Sequence, residues 1–550
     1  MELRRSLLLP TVIFLCFSSE RQIGNSSSAK LERLGTVSFR VSCSAAVQPE
    51  FDRAVALLHS FQYATAGSSF AEIAKKDQQC AMAYWGEAMS LFHPLFDWPD
   101  KETLKKGNAY VDRAAKMRVT TDRERAYIRA AAVFYRDDPK LDRVARLNAY
   151  SSAMADAYRR YPEDGDAASF YALSLLPWYR DDQPQARLKA LSILKALFAR
   201  EPNNPGAVHY LIHAADSPEL APQGLEAARR YAEIAPSSAH ALHMPAHIFS
   251  RLGLWQDSID SNLASAAAAA EATKSNLDNE SEYQLHAMHY LLYAYLQRAS
   301  DIDARHVVED VRNVPGIYDV DIASDGNFMK AIYIMETKRW EDAAQLVPTG
   351  DADPFSRMRI HWARTIAECH LGKTDDARKD VEHLHEDFST LRETNPSAFP
   401  NNALVLEGEA WLAHARGNND EAVDKMRAAI KADVFSVDDE SLPAYELLGD
   451  LLLELQQPAP ALEAYEAALK EAPNRFNSLH GAGLAAELTG NQQKAMLYYA
   501  NLVKIADPRT SRPEFLAAKV FLQNNKTSQN GQQQLLVPPI DPTITQRTPE

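Results

Sequence analysis

A recurrence of residue types every 34 positions constrains this chain more than any other feature. It is clearest over residues 442–475, where small, large and helix-ending residues occupy fixed places: Tyr445, Leu448, Gly449, Leu452, Ala461, Tyr465, Ala468 and Pro473. The next segment repeats the spacing with Leu479, Ala482, Gly483, Ala486, Ala495 and Tyr499. Small residues let two helices approach closely, larger ones fill the gap between hairpins, and proline ends the second helix. The pattern predicts a repeated helix–turn–helix unit.

The same register extends towards the N-terminus. Ala190 and Leu194 stand before Pro202 as the equivalent residues stand before Pro473, and Gly253 with Trp255 fits another unit. Helix-forming residues dominate from about residue 48 to 505, and alternating strand patterns are absent. We therefore predict roughly nine to eleven hairpins, some degenerate, stacked into an all-α, right-handed superhelical solenoid.

These units resemble tetratricopeptide repeats, and the resemblance covers almost the whole mature chain. More narrowly, the chain is similar to a group of exported bacterial repeat proteins that share the strings CAMAYWGEAMSLFHPLF, HYLIHAADSPE, HALHMPAHIFSRLGLW and ELLGDLLLELQQPAPALEAYEAAL. The resemblance implies the solenoid fold and export to the periplasm or the cell exterior. It implies no reaction.

The organisation predicted along the chain has seven parts. Arg4 and Arg5 precede a short apolar run, Leu7 to Phe17, which is typical of a cleaved export signal and too short to span a bilayer. The predicted parts are a signal peptide (1–19), an N-terminal linker or arm (20–47), N-terminal repeats (48–200), histidine-rich central repeats (201–310), degenerate helical repeats (311–440), C-terminal repeats (441–510) and a flexible tail (511–550).

The net charge narrows the range of binding partners. A net charge of −15 disfavours nucleic acid, which needs a basic surface. No anchor in the membrane is expected once the signal is removed, and the expected partner is a protein or peptide segment.

In an exported chain, Cys43 and Cys80 either form a disulfide or remain buried thiols, and Cys369 lies in an apolar helical stretch.

Seven of the 16 histidines fall between residues 209 and 289, and their spacing follows the repeat. They are His209, His213, His240, His243, His247, His286 and His289. His209 and His213 recur 34 positions later as His243 and His247. In tetratricopeptide repeats, positions 2, 5 and 9 of the first helix line the concave groove. The resemblance therefore implies that all seven histidines, with Tyr293 at a further position 9, point into one channel from three successive helices.

Three hypotheses account for this stripe. It lines a groove that binds a peptide, it forms a transition-metal site for zinc, copper or iron, or it is a pH-sensitive surface. The candidate metal ligands are His209, His213, His240, His243, His247 and His286, with Asp216 as a further ligand or as a residue that orients a ring. Tyr210 stands where a zinc protease motif needs glutamate, so no catalytic residue is assigned. Pro245 is expected to kink the central helix.

Three functions follow from these hypotheses. The leading one is an exported scaffold that binds a protein or peptide in its concave groove, with the histidines as a ligand or metal site. The alternatives are a metal-binding protein or metal-dependent enzyme that uses the histidines, and a structural protein of envelope assembly. The sequence does not determine whether the chain is an enzyme.

Overall fold

The computed structural model describes residues 32–95, 98–119, 121–177, 184–274, 280–314, 319–348, 352–394, 402–432 and 442–529. The predicted signal peptide (1–19) and the last part of the predicted tail (530–550) lie outside these residues. Within the described residues the chain is helical and contains no strand. The prediction of an all-α fold is confirmed.

The helices of the N-terminal half are α1 (Gln48–His59), α2 (Tyr63–Lys76), α3 (Ala81–Met89), α4 (Lys101–Lys116), α5 (Asp122–Tyr135), α6 (Arg143–Arg160), α7 (Gly165–Leu173), α8 (Pro184–Arg200), α9 (Pro205–Ala215), α10 (Ala221–Ile234), α11 (Ala239–His243), α12 (Pro245–Arg251) and α13 (Trp255–Lys274). Those of the C-terminal half are α14 (Ser281–Gln297), α15 (Asp301–Asp310), α16 (Asp319–Glu336), α17 (Trp340–Ala343), α18 (Pro354–His370), α19 (Thr374–Thr394), α20 (Ala403–Ala415), α21 (Asn419–Ala432), α22 (Ala444–Glu454), α23 (Pro458–Glu471), α24 (Phe476–Leu488), α25 (Gln492–Ile505) and α26 (Pro513–Gln529).

Consecutive helices pack in pairs, and the pairs stack. The first helix of one pair packs on the first helix of the next, as α14 does on α16, α16 on α18, and α18 on α20. Helices α11 and α12 together take the place of one first helix, because both pack on α13. The described residues form an all-α solenoid of stacked helical hairpins, and α26 packs on α25 after the last of them.

Small residues set the distance between the paired helices where the sequence predicts it. A Cβ atom on Gly449 would lie 2.7 Å from the ring of Tyr465, and one on Gly483 would lie 2.6 Å from the ring of Tyr499. Both contacts are closer than carbon atoms approach without displacement, so each tyrosine ring occupies the volume that glycine leaves free. The predicted close approach at these positions is confirmed.

The turn inside a hairpin repeats a left-handed backbone position just after the first helix. Glycine fills it at Gly253, Gly372, Gly417 and Gly490, which all have φ between 64° and 81°. In four other hairpins a residue with a side chain fills the same position: Phe61, Ala299, Lys338 and Gln456 have φ between 52° and 58°. Each costs roughly 1–2 kcal/mol relative to glycine in this conformation.

The solenoid folds back on itself in each half of the chain. Helix α1 packs on α9, and α14 packs on α24, although the sequence separates the members of each pair widely. The buried apolar residues correspondingly form two main clusters, one from Leu34 to Phe249 and one from Trp255 to Ala518. Trp255 also joins the two parts of the chain, because its indole N–H donates to the carbonyl oxygen of Asn474 at 2.7 Å.

The chain ends differ from the prediction. Much of the predicted arm is an extended segment whose Phe39 is fully buried against Phe51, Trp85 and Tyr127. Residues 513–529, predicted as part of a flexible tail, form α26 instead, which packs on α25. Both segments carry apolar residues that the exposed ends of the stacked hairpins bury, and these outweigh the polar composition around them.

A disulfide joins Cys43 in the N-terminal segment to Cys80, the residue just before α3, with Cα atoms 4.7 Å apart. It is one of the two alternatives left open by the sequence. The bond ties the segment that carries Phe39 to the second hairpin. Asp77 lies close to both sulfur atoms, but disulfide sulfur offers no thiolate to a metal ion.

Replacing Gly483 by alanine is expected to lower the free energy of unfolding by about 1–3 kcal/mol, because the added methyl group meets the ring of Tyr499. Gly326, within α16, has no atom within 4 Å of an added Cβ, so Gly326→Ala is a matched control. The control is expected to be neutral or to stabilise by up to about 1 kcal/mol. Urea unfolding followed by circular dichroism measures both, and an equal effect of the two substitutions would contradict the close-packing argument.

Glu368 is a buried carboxyl group between α18 and α19. Its Oε1 accepts a hydrogen bond from Arg364 at 3.3 Å, whereas its Oε2 has no partner among the described residues. Burial, with the nearby charge of Asp380, raises the pKa of Glu368 from an ordinary 4.5 to about 8. Between these values the folded chain binds a proton that the unfolded chain releases, so stability from this group falls as pH rises.

The substitution Glu368→Gln keeps the shape of this side chain and removes its titration. We expect wild type to lose up to about 1.4 kcal/mol of unfolding free energy per pH unit relative to the variant between pH 4.5 and 8. Urea unfolding of both proteins at pH 5, 6.5 and 8 measures the difference. Parallel pH profiles would show that Glu368 is ionised in the fold.

Candidate metal centre

Four helices bring six of the histidines close together. Helix α9 supplies His209 and His213, α11 supplies His240 and His243, α12 supplies His247, and α14 supplies His286. Pro245 divides the central helix as the sequence predicts, since α11 ends at His243 and α12 begins at Pro245. The break falls between His243 and His247, which lie about one turn apart.

The first trio consists of His209, His213 and His240. The Nε2 atom of His209 lies 3.0 Å from that of His240 and 3.1 Å from that of His213. One ring nitrogen from each residue lies within 4.8 Å of the others. His209 is fully buried, and His240 is 3% exposed.

The second trio consists of His243, His247 and His286. The Nε2 atoms of His243 and His247 lie 3.0 Å apart, and the ring centre of His286 is 4.4 Å from that of His243. One ring nitrogen from each of the three again lies within 4.8 Å of the others.

The repeat generates both trios by the same rule. Each takes two histidines four residues apart, at positions 5 and 9 of one unit, and a third from position 2 of the next unit. His213 and His247 are equivalent residues of the two units, and their ring centres lie 6.2 Å apart. Equivalent rings of the two trios are therefore separated by this distance at position 9.

Hydrogen bonds fix the tautomers of three of these rings. The Nδ1–H of His209 donates to the carbonyl oxygen of His59 at 2.6 Å. The Nδ1–H of His243 donates to Oδ1 of Asn262 at 2.7 Å, and the amide group of Asn262 is oriented because its nitrogen donates to the carbonyl oxygen of Ser258. A carbonyl oxygen only accepts, so each of these histidines carries its proton on Nδ1 and presents a lone pair at Nε2.

His247 is oriented in the same way by a carboxylate. Its Nδ1–H donates to Oδ2 of Asp216 at 2.9 Å, and Oδ1 of Asp216 accepts from Arg251 at 2.9 Å. Burial raises the pKa of Asp216, but Arg251 and His247 outweigh it and hold that pKa well below its ordinary value. Of the two roles predicted for Asp216, the structure supports orientation of a ring over direct ligation.

The Nε2 atoms of two rings face each other in the second trio. Those of His243 and His247 lie 3.0 Å apart, and His243 presents a lone pair there. Such an approach is repulsive unless a proton or a metal ion lies between the two nitrogens. A proton there would belong to an imidazolium His247 paired with Asp216, whereas a metal ion would accept a lone pair from each ring.

Other histidines of the trios resist protonation because they are buried. Burial lowers the pKa of His209 and of His286 to about 3. Burial also places the pKa values of His213 and His240 well below 6.5. These imidazoles are neutral at physiological pH, which is the form that binds a metal ion.

Phe61 covers the first trio. Its ring centre lies 4.3 Å from that of His209, 5.5 Å from that of His240 and 5.7 Å from that of His213. Tyr283 holds the loop in place, because its hydroxyl group donates to the carbonyl oxygen of Phe61 at 2.8 Å. Phe61 thereby places an aromatic ring against three imidazoles from a left-handed position in the turn of the first hairpin.

The structure leaves two of the predicted groove residues outside the trios. His289 forms an ion pair with Asp325 at 2.6 Å and stacks on Phe328. Tyr293 is buried, and its hydroxyl group accepts a hydrogen bond from Arg475. Arg475 itself pairs with buried carboxylates of the C-terminal half, so Tyr293 belongs to that network.

The predicted open groove is filled at the histidines. Phe61 occupies the inner face there, and the rings of His209, His240 and His243 have almost no exposed surface. The register argument predicted which side chains share a face, but it could not predict that α1 packs on α9 and brings Phe61 over them. Phe61 and Asn262 were accordingly missed, because no sequence signal relates them to the stripe.

Similarity to known proteins is found among solved structures. No family model matches the chain. No curated protein matches it at a significant level. Among solved structures, the crystal structure of yeast Tom70 is similar, with 14% identity and a TM-score of 0.30, over 82% of this chain and 96% of that one. Within the described residues, none of the helices combines the length and apolar character that crossing a bilayer requires.

Proposed function

We propose that this chain is a transition-metal-binding protein in which each trio of histidines holds one metal ion. One observation carries the proposal: two trios of histidines each bring three ring nitrogens within 4.8 Å of one another, and in the second trio the Nε2 atoms of His243 and His247 face each other at 3.0 Å. A cation between these two nitrogens would form a coordinate bond to each.

The donor atoms suit such an ion. Two imidazole nitrogens bound to one zinc or copper ion at about 2.0–2.1 Å lie about 3.3 Å apart in tetrahedral geometry. The measured Nε2 separations of 3.0 and 3.1 Å are close to that value. Hydrogen bonds from the opposite ring nitrogen to a carbonyl or carboxylate oxygen are a regular feature of metal-bound histidine. His209, His243 and His247 each make one.

Hydrolysis by a protease-like mechanism is not part of the proposal. Tyr210 stands between the two histidines of α9, and its hydroxyl group bonds to His59 at 3.0 Å. Asp216, the carboxylate nearest the second trio, is engaged by His247 and Arg251 and acts as a positioning residue. No general base is assigned, so metal binding is proposed without a reaction.

Export remains part of the proposed function. The disulfide between Cys43 and Cys80 supports it, because such bonds persist in oxidising compartments. A peptide-binding scaffold and a role in envelope assembly stay predictions for the rest of the solenoid. At the histidines, Phe61 fills the space that a bound peptide would take.

Metal content is the direct test. Full-length protein without an affinity tag, stripped with a chelator and then incubated with zinc or copper, is expected to retain more than one equivalent of at least one metal after desalting. Elemental analysis by mass spectrometry measures it. Retention of less than about a tenth of an equivalent of either metal would contradict the proposal.

Single-ligand variants assign the ions to the trios. His213→Ala and His286→Ala each remove one partly exposed ligand, and each is expected to lower the bound metal by about one equivalent. His383→Ala is the matched control, because His383 is exposed and pairs with Glu386 outside the trios. Circular dichroism checks that all three variants are folded. A loss that is equal in the control would show that binding is not at the trios.

Asn262 provides a test of orientation. Asn262→Leu removes the acceptor for the Nδ1–H of His243, so metal affinity at the second trio is expected to fall about 10–100-fold. Asn262→Asp keeps an acceptor oxygen and is expected to preserve the affinity. Competition with a chromogenic chelator measures both variants. Equal losses in both would mean that Asn262 acts through packing alone.

A further inference from the structure

The charge, spacing and surroundings of the two trios indicate which metal ion they bind. We infer that they hold a pair of monovalent copper ions, one in each trio, so the chain is a cuprous-ion protein. This inference rests on the proposed function and adds the identity and charge of the metal.

The charge of the ligand set is the first argument. All six donors are imidazole nitrogens, which are neutral when they coordinate, and none is a carboxylate or thiolate. Asp216, whose carboxylate contacts His247, is already balanced by Arg251. A second cation, Arg187, donates to the carbonyl oxygens of His213 and Asp216. Because these ligands and neighbours supply no net negative charge, they leave the positive charge of a bound metal ion uncompensated.

The spacing of the trios is the second argument. The centres of the equivalent rings of His213 and His247 lie 6.2 Å apart, so ions bound in the two trios would lie close together, beside the buried rings of His209, His240 and His243. Coulomb repulsion scales with the product of the charges and inversely with the dielectric constant. At the same separation it is four times greater for two divalent ions than for two monovalent ones. The duplicated site therefore favours the ion of lower charge.

Coordination number and surroundings are the third argument. A cuprous ion has a filled d shell and can be held by three neutral nitrogen donors alone, whereas zinc held by three histidines takes a water molecule as its fourth ligand. Phe61 and Tyr290 lie against the two trios. Such an enclosed aromatic lining penalises a strongly hydrated divalent ion more than a weakly hydrated monovalent one. Among metals that imidazole binds well, copper is the one with a stable monovalent state.

Stepwise titration separates the two charge states. Chelator-stripped full-length protein is titrated without oxygen with copper(I), in competition with bicinchoninate, and separately with zinc in competition with a chromogenic chelator. We expect two equivalents of copper(I) to bind. We also expect the ratio of the second to the first dissociation constant to be at least about 100 times larger for zinc than for copper(I).

Variants that keep only one trio show how a single site binds each metal, for comparison with the two sites of the wild type. His286→Ala leaves only the first trio and His213→Ala leaves only the second, so each should bind one copper(I) and one zinc without the second step. His383→Ala should behave as wild type. Folding of each variant is checked by circular dichroism before titration.

Each other result has a definite meaning. Two zinc ions with a step ratio like that of copper(I) would overturn the monovalent pair and leave the proposed metal binding intact. One copper(I) per wild-type chain would overturn the pair. No binding of copper(I) or zinc would overturn both the inference and the proposed function.

Discussion

The contact between a glycine on one helix and a tyrosine ring on the other sets the spacing of the hairpins α22–α23 and α24–α25. Where glycine faces Tyr465 or Tyr499, the two helices are held at a separation that one added methyl group would disturb. The first helices of successive hairpins pack on one another, as α14, α16, α18 and α20 do. Side chains at equivalent positions are then repeated in space as well as in sequence.

The two trios are a product of that repetition. A histidine pair on one first helix meets a single histidine on the next, and the arrangement occurs twice because the chain carries the pattern twice. The third unit ends the series, because Tyr293 stands at position 9, where the first two units carry His213 and His247. His289 lies against Asp325 and Phe328, and Tyr293 accepts a hydrogen bond from Arg475. The boundary of the cluster is thus set by the sequence of the repeat itself.

The repeat register could be predicted from the sequence because it depends on local spacing, which Gly449, Tyr465 and Pro473 display directly. The grouping of His209 with His213 also follows from helix geometry. The cover over them could not be predicted, because Phe61 reaches the trio through the packing of α1 on α9. Helix α26 was missed for a similar reason: Phe515 and Ala518 are buried only because α25 is there to receive them.

The hydrogen bond from His209 to the backbone of His59 joins residues 150 positions apart. During synthesis the first hairpin therefore emerges long before the partner that its turn will cover. The contacts of Phe61 with His209 and His240 need α9 and α11, so they form only after those helices have been made. Closing so long a loop costs entropy that the contacts across it must offset. The covered trio therefore depends on long-range packing, because α1 and α9 must meet before its cover is in place.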